Sequence, residues 1–279
     1  MGKVEEVIKE AAVEVHSILG SGYQEGVYEL ALAHELRLRK IKYERQKFFD
    51  VVYKGYYVGQ ARTDIIVNPK SAGVKEEEIL LELKKGKTID DSHIKQAQVY
   101  LVSLNILKGL VLAFGGEEIK IPDTMQSVQK PDLKLMTDEV LSLIKGKEKT
   151  PDLKLLTKIT DEVYDYFGSY FLNIGDGVQY YAKAIGVELT LRGIKYHAIT
   201  GNIFYKKCVV AEHSYDIMLE DGTVLCVQQY SHKKKETVED VINNAIEDEK
   251  KFFKLLGIKK GYYIGIPAEE GERPVVKEM

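Results

Sequence analysis

The fold of this chain is decided by two short segments, Arg62-Thr-Asp64-Ile-Ile-Val67 and Ile79-Leu-Leu-Glu82-Leu-Lys84. Both have the aliphatic and β-branched composition of buried strands, yet each carries charged residues. Because successive side chains of a strand alternate between two faces, Glu82 and Lys84 share one face while the adjacent leucines face the core. By the same alternation we expect Arg62 and Asp64 to point in one direction.

These charges require a compensating partner, because an unpaired charge is costly to bury in an apolar strand. If the two strands are neighbours, Asp64 and Glu82 converge as hard oxygen ligands for a divalent cation, with Lys84 beside them. The alternative is that Glu82 and Lys84 form a solvated pair on an exposed face of the sheet, since Glu-x-Lys alone is a common pattern.

Two helices are predicted before these strands. Apolar residues recur at helical spacing from Val4 to Leu19, and the turn Gly20-Ser-Gly22 then leads to a second helix with Glu25 in its first turn. Glu25 is either a third acid of the metal site or a carboxylate that the helix dipole favours at this position.

A hairpin and a crossover helix complete the predicted order of elements. The residues between Ile41 and Val67 predict a hairpin that turns at Lys54-Gly55 and whose second arm ends in Asp64. A helix is predicted from Asp90 to Leu107, followed by a buried strand from Gly109 to Phe114. Strand, crossover helix and strand together imply at least one parallel pair.

The crossover helix carries a polar row, His93, Gln96 and Tyr100, at spacings of three and four residues. This row either points at the carboxylates or is an ordinary polar helix flank, in which the ring of Tyr100 covers the core.

Composition narrows the function classes. The chain has 279 residues, enough for two domains, and a net charge of −3, which gives no global attraction to nucleic acid. A local basic cluster is formed by Lys84, Lys85 and Lys87.

The cysteines and the apolar runs bear on location. Cys208 and Cys226 are too few for a disulfide framework and lack the spacing of a zinc site. With no apolar run of spanning length and an acidic start, we expect a cytoplasmic protein without membrane association.

An internal repeat governs the domain organisation. The segment Ala31–Tyr43 reappears 153 residues later as Ala184–Tyr196. We therefore predict two copies of one α/β fold: a first domain over residues 1–120, a helical connector over 121–150 and a second domain over 151–279.

The chemistry does not repeat with the scaffold. Asp64 corresponds to Asp216, but Glu82-Leu-Lys84 falls opposite Leu225-Cys-Val-Gln-Gln229, which has neither acid nor amine. Gln96 and Tyr100 likewise fall opposite Asp248 and Phe252. The second copy is predicted to be degenerate and kept for packing or for binding.

The first half carries an ordered set of motifs: Gly20-x-Gly22-x-x-Glu25-x-x-Tyr28-Glu29, Gln46, Tyr53-Lys54-Gly55, Arg62-x-Asp64, Glu82-Leu-Lys84, His93-x-x-Gln96-x-x-x-Tyr100 and Gly109-Leu. From residue 3 to about 116, this combination resembles the GxxExxY proteins of the PD-(D/E)XK nuclease superfamily. The segment Ala113-Phe114-Gly115 departs from the small polar ending that is usual in that family.

The resemblance implies a tandem duplication of a nuclease-like core, in which a mixed β-sheet is flanked by helices. Asp64 and Glu82 would bind Mg²⁺ or Mn²⁺, and Glu25 would complete or orient that site. Lys84 would hold the attacking water or the charge of the transition state. Gln96 and Tyr100 resemble a helix motif that supports the site.

Two functions follow as hypotheses. The first is a divalent-metal-dependent nuclease that hydrolyses phosphodiester bonds, of DNA in preference to RNA, with an inactive C-terminal copy. In it Arg62, His93 and Lys85 would support the site or bind substrate. The alternative is a non-catalytic scaffold that binds nucleic acid or protein, with the two halves paired as an intramolecular pseudo-dimer.

Overall fold

The structure, a computed structural model, describes residues 3–67, 78–127, 150–232, 236–269 and 271–279. The chain divides into two compact units. The first comprises Met1–Val51, Gln60–Leu133 and Asn173–Gly175, and the second comprises Val52–Gly59, Lys134–Leu172 and Asp176–Met279.

The first unit is built on a five-stranded sheet in the order β1-β4-β5-β6-β7. Its strands are β1 (Tyr43–Arg45), β4 (Ile65–Val67), β5 (Ile79–Lys84), β6 (Lys108–Ala113) and β7 (Met125–Gln126). β2 (Phe48–Tyr53) and β3 (Tyr56–Arg62) form a separate two-stranded hairpin. The neighbours β5 and β6 are parallel and the other pairs of the large sheet are antiparallel, so the predicted parallel pair is confirmed.

Three helices belong to the first unit: α1 (Lys3–Leu19), α2 (Glu25–Leu38) and α3 (Asp91–Leu104). All three confirm the predicted helices. The side chain of Asp90 caps α3 by accepting a hydrogen bond from the backbone N–H of His93 at 3.1 Å. The helix ends at Asn105, whose left-handed backbone is a common helix terminator.

The core of the first unit lies between the sheet and the first two helices. Ile8 of α1 and Leu32 of α2 belong to one buried cluster with Leu81 and Leu83 of β5. The opposite face of the sheet is covered by α3, because a Cβ added at Gly109 would lie 3.2 Å from Leu101. Alternation along β5 therefore turns Glu82 and Lys84 towards the α3 side.

The predicted hairpin is confirmed, but its second arm ends at Arg62 and does not reach Asp64. β3 pairs with β2, whereas β4 pairs with β1 and β5 in the large sheet. The chain changes sheets at Thr63 and Asp64, so the expectation that Arg62 and Asp64 share one strand and one direction is wrong. Arg62 is exposed, whereas Asp64 is half-buried.

Much of the predicted helical connector, residues 128–149, lies outside the described residues. The described residues 121–127 contain the short strand β7 and no helix, which corrects that part of the prediction. A helix begins just after the predicted connector, because Asp152 accepts a hydrogen bond from the N–H of Leu155 at 2.8 Å and caps it.

The second unit has its own five-stranded sheet in the order β12-β11-β10-β9-β8. The strands are β8 (Tyr196–Tyr205), β9 (Cys208–Leu219), β10 (Val224–Tyr230), β11 (Gly261–Pro267) and β12 (Val275–Glu278). The helices are α4 (Leu153–Phe167), α5 (Val178–Leu191) and α6 (Val238–Leu256), with a 3₁₀ helix at Tyr170–Asn173. Again one pair, β10 with β11, is parallel and the others are antiparallel.

The predicted α/β class, with mixed sheets and helices, is thus confirmed. Among the described residues, no helix combines the length and the apolar composition that crossing a membrane requires.

The buried Tyr28 fixes the start of α2. Its hydroxyl donates to the carbonyl of Gly20 at 3.0 Å and accepts from the N–H of Tyr23 at 3.2 Å, while its ring stacks on Phe114 at 4.6 Å. The tyrosine of the GxxExxY pattern therefore holds the turn that places Glu25.

We predict that Tyr28→Phe lowers the free energy of unfolding by about 1 kcal/mol, because two backbone groups lose a partner while the ring is kept. Urea unfolding at equilibrium measures the change. Tyr23→Phe is the matched control, since Tyr23 is exposed, and it should unfold like the wild type. Equal stabilities of the two variants would contradict this role of Tyr28.

Candidate active site

Strand pairing brings the two predicted acids together. In the register of β4 and β5, Ile65 lies opposite Leu81, which places Asp64 beside the end of β5. The carboxylate of Asp64 accepts a hydrogen bond from the backbone N–H of Leu83 at 2.7 Å. Asp64 and Glu82 therefore approach each other across neighbouring strands, as the sequence predicts.

Glu82 is deeply buried, with 1% of its surface exposed. Its Oε1 accepts a hydrogen bond from Lys84 Nζ at 2.6 Å. Its Oε2 is buried and has no hydrogen-bond partner among the described residues. The alternative of a solvated Glu82–Lys84 pair is excluded, because this carboxylate does not reach water.

Burial and neighbouring negative charge raise the pKa of both carboxylates. Burial, together with the negative charge of Asp64, raises the pKa of Glu82 to about 8. Burial and the charge of Glu25 raise the pKa of Asp64 to about 6, against the hydrogen bond from Leu83. A cation placed between these oxygens would remove the repulsion.

Lys84 remains a cation in this surrounding. Burial works to lower the pKa of its ammonium, but the charges of Glu82, Glu25 and Asp64 together raise it. Lys84 can therefore act as a fixed positive charge and hydrogen-bond donor, and it is unsuited to be a general base at neutral pH.

Glu25 and Lys85 stand at the edge of the same centre. Glu25 is the first residue of α2 and is half-buried, and its charge acts on Asp64, Glu82 and Lys84. The exposed Lys85 donates from Nζ to Gln24 Oε1 at 3.2 Å, which links the end of β5 to the residue before Glu25.

The predicted row on α3 separates into two parts. Burial is the main cause that lowers the pKa of His93. The charge of Lys84 lowers this pKa further, whereas the charge of Glu25 raises it. Gln96 donates to the hydroxyl of Tyr100 at 2.9 Å, and the ring of Tyr100, 3% exposed, contacts the edge of Phe49. The structure thus brings His93 near the centre, while Tyr100 packs in the core.

Arg62 lies elsewhere. Its guanidinium sits 5.7 Å from the ring centroid of Phe48 in the hairpin. The change of sheet after β3 explains why it does not accompany Asp64.

Glu29 and Gln46 belong to the ordered motif set, but no role for them is predicted from the sequence. The buried Glu29 accepts hydrogen bonds from Arg45 at 2.8 Å and from Gln46 at 3.1 Å, and its charge contributes to the raised pKa of Asp64. The backbone N–H of Gln46 in turn donates to the carbonyl of Asp64 at 2.8 Å. The four-residue spacing of Glu25 and Glu29 on one helix face is the signal that could have found this group.

The departure Ala113-Phe114-Gly115 also has a structural reason. A Cβ at Gly115 would clash with the carbonyl oxygen of Lys85 and would lie 2.7 Å from the backbone of Gly86. The backbone must pass this close to the end of β5, so only glycine fits.

The donor set suits a hard divalent cation. Asp64 and Glu82 offer carboxylate oxygens, Glu25 stands within electrostatic reach, and Glu82 Oε2 is buried without a partner among the described residues. Mg²⁺ and Mn²⁺ prefer such oxygen ligands. The residues present therefore fit the metal that the resemblance implies.

Comparison with known proteins agrees with this geometry. Residues 2–122 match the family model described as PD-(D/E)XK nuclease superfamily. This match supports the superfamily for the first part of the chain; the GxxExxY family within it stays a prediction. No curated protein matches the chain.

One similar solved structure is that of the protein SSO0001. It is 13% identical to this chain, covers 53% of this chain and 90% of its own, and superposes with a TM-score of 0.30. A likeness at that TM-score does not define the function.

We predict that the metal-free protein loses stability as the pH rises from about 4.5 to about 8. The folded pKa of Glu82 is raised from 4.5 to about 8, so the folded state holds a proton that the unfolded state has released. The slope from one such group is at most about 1.4 kcal/mol per pH unit. Urea unfolding in the presence of a chelator measures it.

Glu82→Gln should flatten this pH dependence, because the variant has no carboxyl group to ionise. The control Glu44→Gln removes an exposed carboxylate from the same unit and should keep the wild-type slope. A Glu82→Gln protein with the wild-type slope would show that Glu82 is not the group responsible.

Proposed function

We propose that the first unit is a divalent-metal-dependent nuclease that hydrolyses phosphodiester bonds, of DNA in preference to RNA. The observation that carries the proposal is the buried, unpartnered Oε2 of Glu82, next to Asp64 and a largely buried ammonium, within the described residues. A purely structural site would pair this oxygen, because an unsatisfied buried carboxylate oxygen costs free energy.

Asp64 and Glu82 are the proposed ligands of Mg²⁺ or Mn²⁺, and Glu25 completes or orients the set. When bound, such a cation supplies positive charge for the phosphate oxygens and lowers the pKa of water. Glu29 and Gln46 position the ligands without binding the metal. The backbone N–H of Gln46 donates to the carbonyl of Asp64 at 2.8 Å, and the side chain of Gln46 donates to Glu29.

Lys84 contributes a fixed charge. Its Nζ is held 2.6 Å from Glu82 and its side chain is 12% exposed. Such an ammonium can donate a hydrogen bond to the attacking water or to a phosphate oxygen, on which negative charge grows as the water oxygen bonds to phosphorus and the P–O ester bond breaks. The exposed Lys85 and the neighbouring His93 are proposed to contact the nucleic-acid backbone, while Gln96 and Tyr100 support α3.

The second unit is proposed to be a degenerate copy of the first. Both sheets have the same succession of antiparallel, antiparallel, parallel and antiparallel pairs. The parallel pairs align Leu80 with Gly109 in one unit and Val224 with Gly261 in the other. Counting along the strands from these positions places Cys226 where the first unit has Glu82, and Gln228 where it has Lys84.

The corresponding centre of the second unit is a closed hydrogen-bond network. Glu249 from α6 accepts from the hydroxyl of Tyr215 and from the amide of Gln228, both at 2.6 Å. Burial, followed by the charge of Glu249, raises the pKa of Cys226, so the thiol stays neutral. These neutral donors satisfy the carboxylate without a metal, which favours an inactive centre.

The alternative is a non-catalytic scaffold for nucleic acid or protein. The net charge of −3 is its support, since nonspecific nucleases usually present a basic face. A scaffold has no use for a metal at Glu82, so metal binding separates the two functions. A cytoplasmic location and a pseudo-dimer of the two halves remain predictions from the sequence.

We predict that Asp64→Asn and Lys84→Ala each lower the rate of DNA cleavage by about 100-fold or more, because each removes charge that acts on the transition state. Cleavage of duplex, single-stranded and RNA substrates with Mg²⁺ or Mn²⁺ tests this, with circular dichroism to check folding. Calorimetric titration of Mg²⁺ should show binding that Glu82→Gln abolishes.

Asp216→Asn is the matched control, because Asp216 occupies the position of Asp64 in the second unit's β9–β10 register. It should cleave at the wild-type rate. Undiminished cleavage by folded Asp64→Asn and Lys84→Ala would refute the nuclease proposal. Absence of both cleavage and metal binding in the wild type would favour the scaffold.

A further inference from the structure

A second cluster of metal-type donors lies at one edge of the second unit's sheet. β10 and β11 are parallel, and Tyr230 lies opposite Pro267 at their C-terminal ends. The N–H of Ala268 then donates to the carbonyl of Tyr230 at 2.9 Å. The segments that follow both strands therefore leave the sheet side by side, and they carry His232, Glu269 and Glu272.

The three side chains converge on one point. Each offers one ligand atom, and these atoms all lie within 4.8 Å of one another. His232 Nδ1 and Glu272 Oε1 are 3.4 Å apart. Two ligands of one tetrahedral zinc, each at about 2.1 Å from the metal, are separated by about this distance.

One polar atom on each side chain of this cluster lacks a hydrogen-bond partner among the described residues, although the Glu272 carboxylate also interacts with the Tyr230 hydroxyl. His232 Nδ1, Glu269 Oε2 and Glu272 Oε2 are all buried, and none has a hydrogen-bond partner among the described residues. The 3.4 Å contact thus brings His232 and Glu272 together without a hydrogen bond. Each of the three converging side chains thus carries one buried, unsatisfied atom, which is costly in a folded protein unless something binds there.

Arg273, the residue after Glu272, is held in place by three contacts. The carbonyl of Arg273 accepts a hydrogen bond from the Tyr230 hydroxyl at 3.0 Å. The guanidinium of Arg273 pairs with Asp161 at 2.9 Å and with Asp165 at 2.5 Å, both on α4. The backbone beside Glu272 is therefore positioned by contacts other than the one with His232.

We propose that His232, Glu269 and Glu272 bind a divalent transition metal, with Zn²⁺ as the first candidate. The reason is the mixture of donors: one imidazole nitrogen and two carboxylate oxygens suit Zn²⁺, whereas Mg²⁺ prefers oxygen ligands alone. Three protein ligands leave one position for water.

The bound ion links the segment after β10 to the loop after β11, and so stabilises the second unit. Its donors are distinct from Asp64, Glu82 and Glu25, and the inference does not depend on nuclease activity. The sequence did not reveal it, because the histidine and the glutamates are separated by a whole helix and a strand.

The test titrates Zn²⁺ and Mg²⁺ by calorimetry into the full chain carrying Asp64→Asn and Glu82→Gln, which removes the acids of the first unit. We expect one Zn²⁺ per chain, bound at least tenfold more tightly than Mg²⁺. His232→Gln or Glu272→Gln, added to this background, should weaken Zn²⁺ binding by at least tenfold. His197→Gln is the matched control, because His197 is exposed on β8.

Thermal unfolding provides the second measurement. Saturating Zn²⁺ should raise the unfolding midpoint of the background protein and of His197→Gln, because it binds the folded state, and should leave that of the His232→Gln variant unchanged. If His232→Gln does not fold, Glu272→Gln serves in its place. No Zn²⁺ binding in the background, equal affinities for Zn²⁺ in all variants, or binding of Mg²⁺ as tight as Zn²⁺ would each overturn the proposal.

Discussion

The burial of the Glu82 carboxylate is the constraint on which the first unit depends. A charged group that is 1% exposed within an aliphatic strand destabilises the fold unless its surroundings compensate. Lys84 at 2.6 Å supplies part of the compensation, and protonation supplies another part, because the pKa of Glu82 is raised to about 8. The remaining oxygen has no partner among the described residues. The unit thus gives up stability at neutral pH to keep this carboxylate buried, a cost of the kind that proteins commonly bear at functional sites.

The rest of the unit holds this arrangement in register. Antiparallel pairing of β4 with β5 brings Asp64 to Leu83, and the parallel pairing of β5 with β6 requires a crossover helix, α3, which covers the face that bears Glu82. Tyr28 fixes the turn before α2, so that Glu25 starts the helix next to the same centre. On the opposite face of β5, Ile79, Leu81 and Leu83 pack in the apolar core. Their burial fixes which face of the strand is buried, so that its charged residues cannot turn towards water.

The second unit shows how the same order of strand pairs can serve another chemistry. There the carboxylate belongs to Glu249 on α6, and it accepts hydrogen bonds from two neutral donors, the Tyr215 hydroxyl and the Gln228 amide. Neutral donors satisfy this carboxylate, whereas Oε2 of Glu82 in the first unit has no partner among the described residues. The transition-metal donors proposed at His232 lie outside this network, at the ends of β10 and β11.

The sequence by itself determined α1, α2 and α3, the parallel pair and the internal repeat, because hydrophobic periodicity and local spacing encode them directly. It predicted the convergence of Asp64 with Glu82 only on the condition that the two strands are neighbours, which the pairing of β4 with β5 meets. It did not determine the change of sheet at Thr63, which separates Arg62 from Asp64, nor the bonds that join Glu29 to Arg45 and Gln46. It left two interpretations open for Glu82, the solvated pair and the buried ligand, and only the covering of that face by α3 decided between them. Burial, pKa shifts and the meeting of His232 with Glu269 and Glu272 arise from contacts between residues far apart in the chain. Only the tertiary structure decides these, since the energy of a charge depends on what surrounds it and not on its neighbours in sequence.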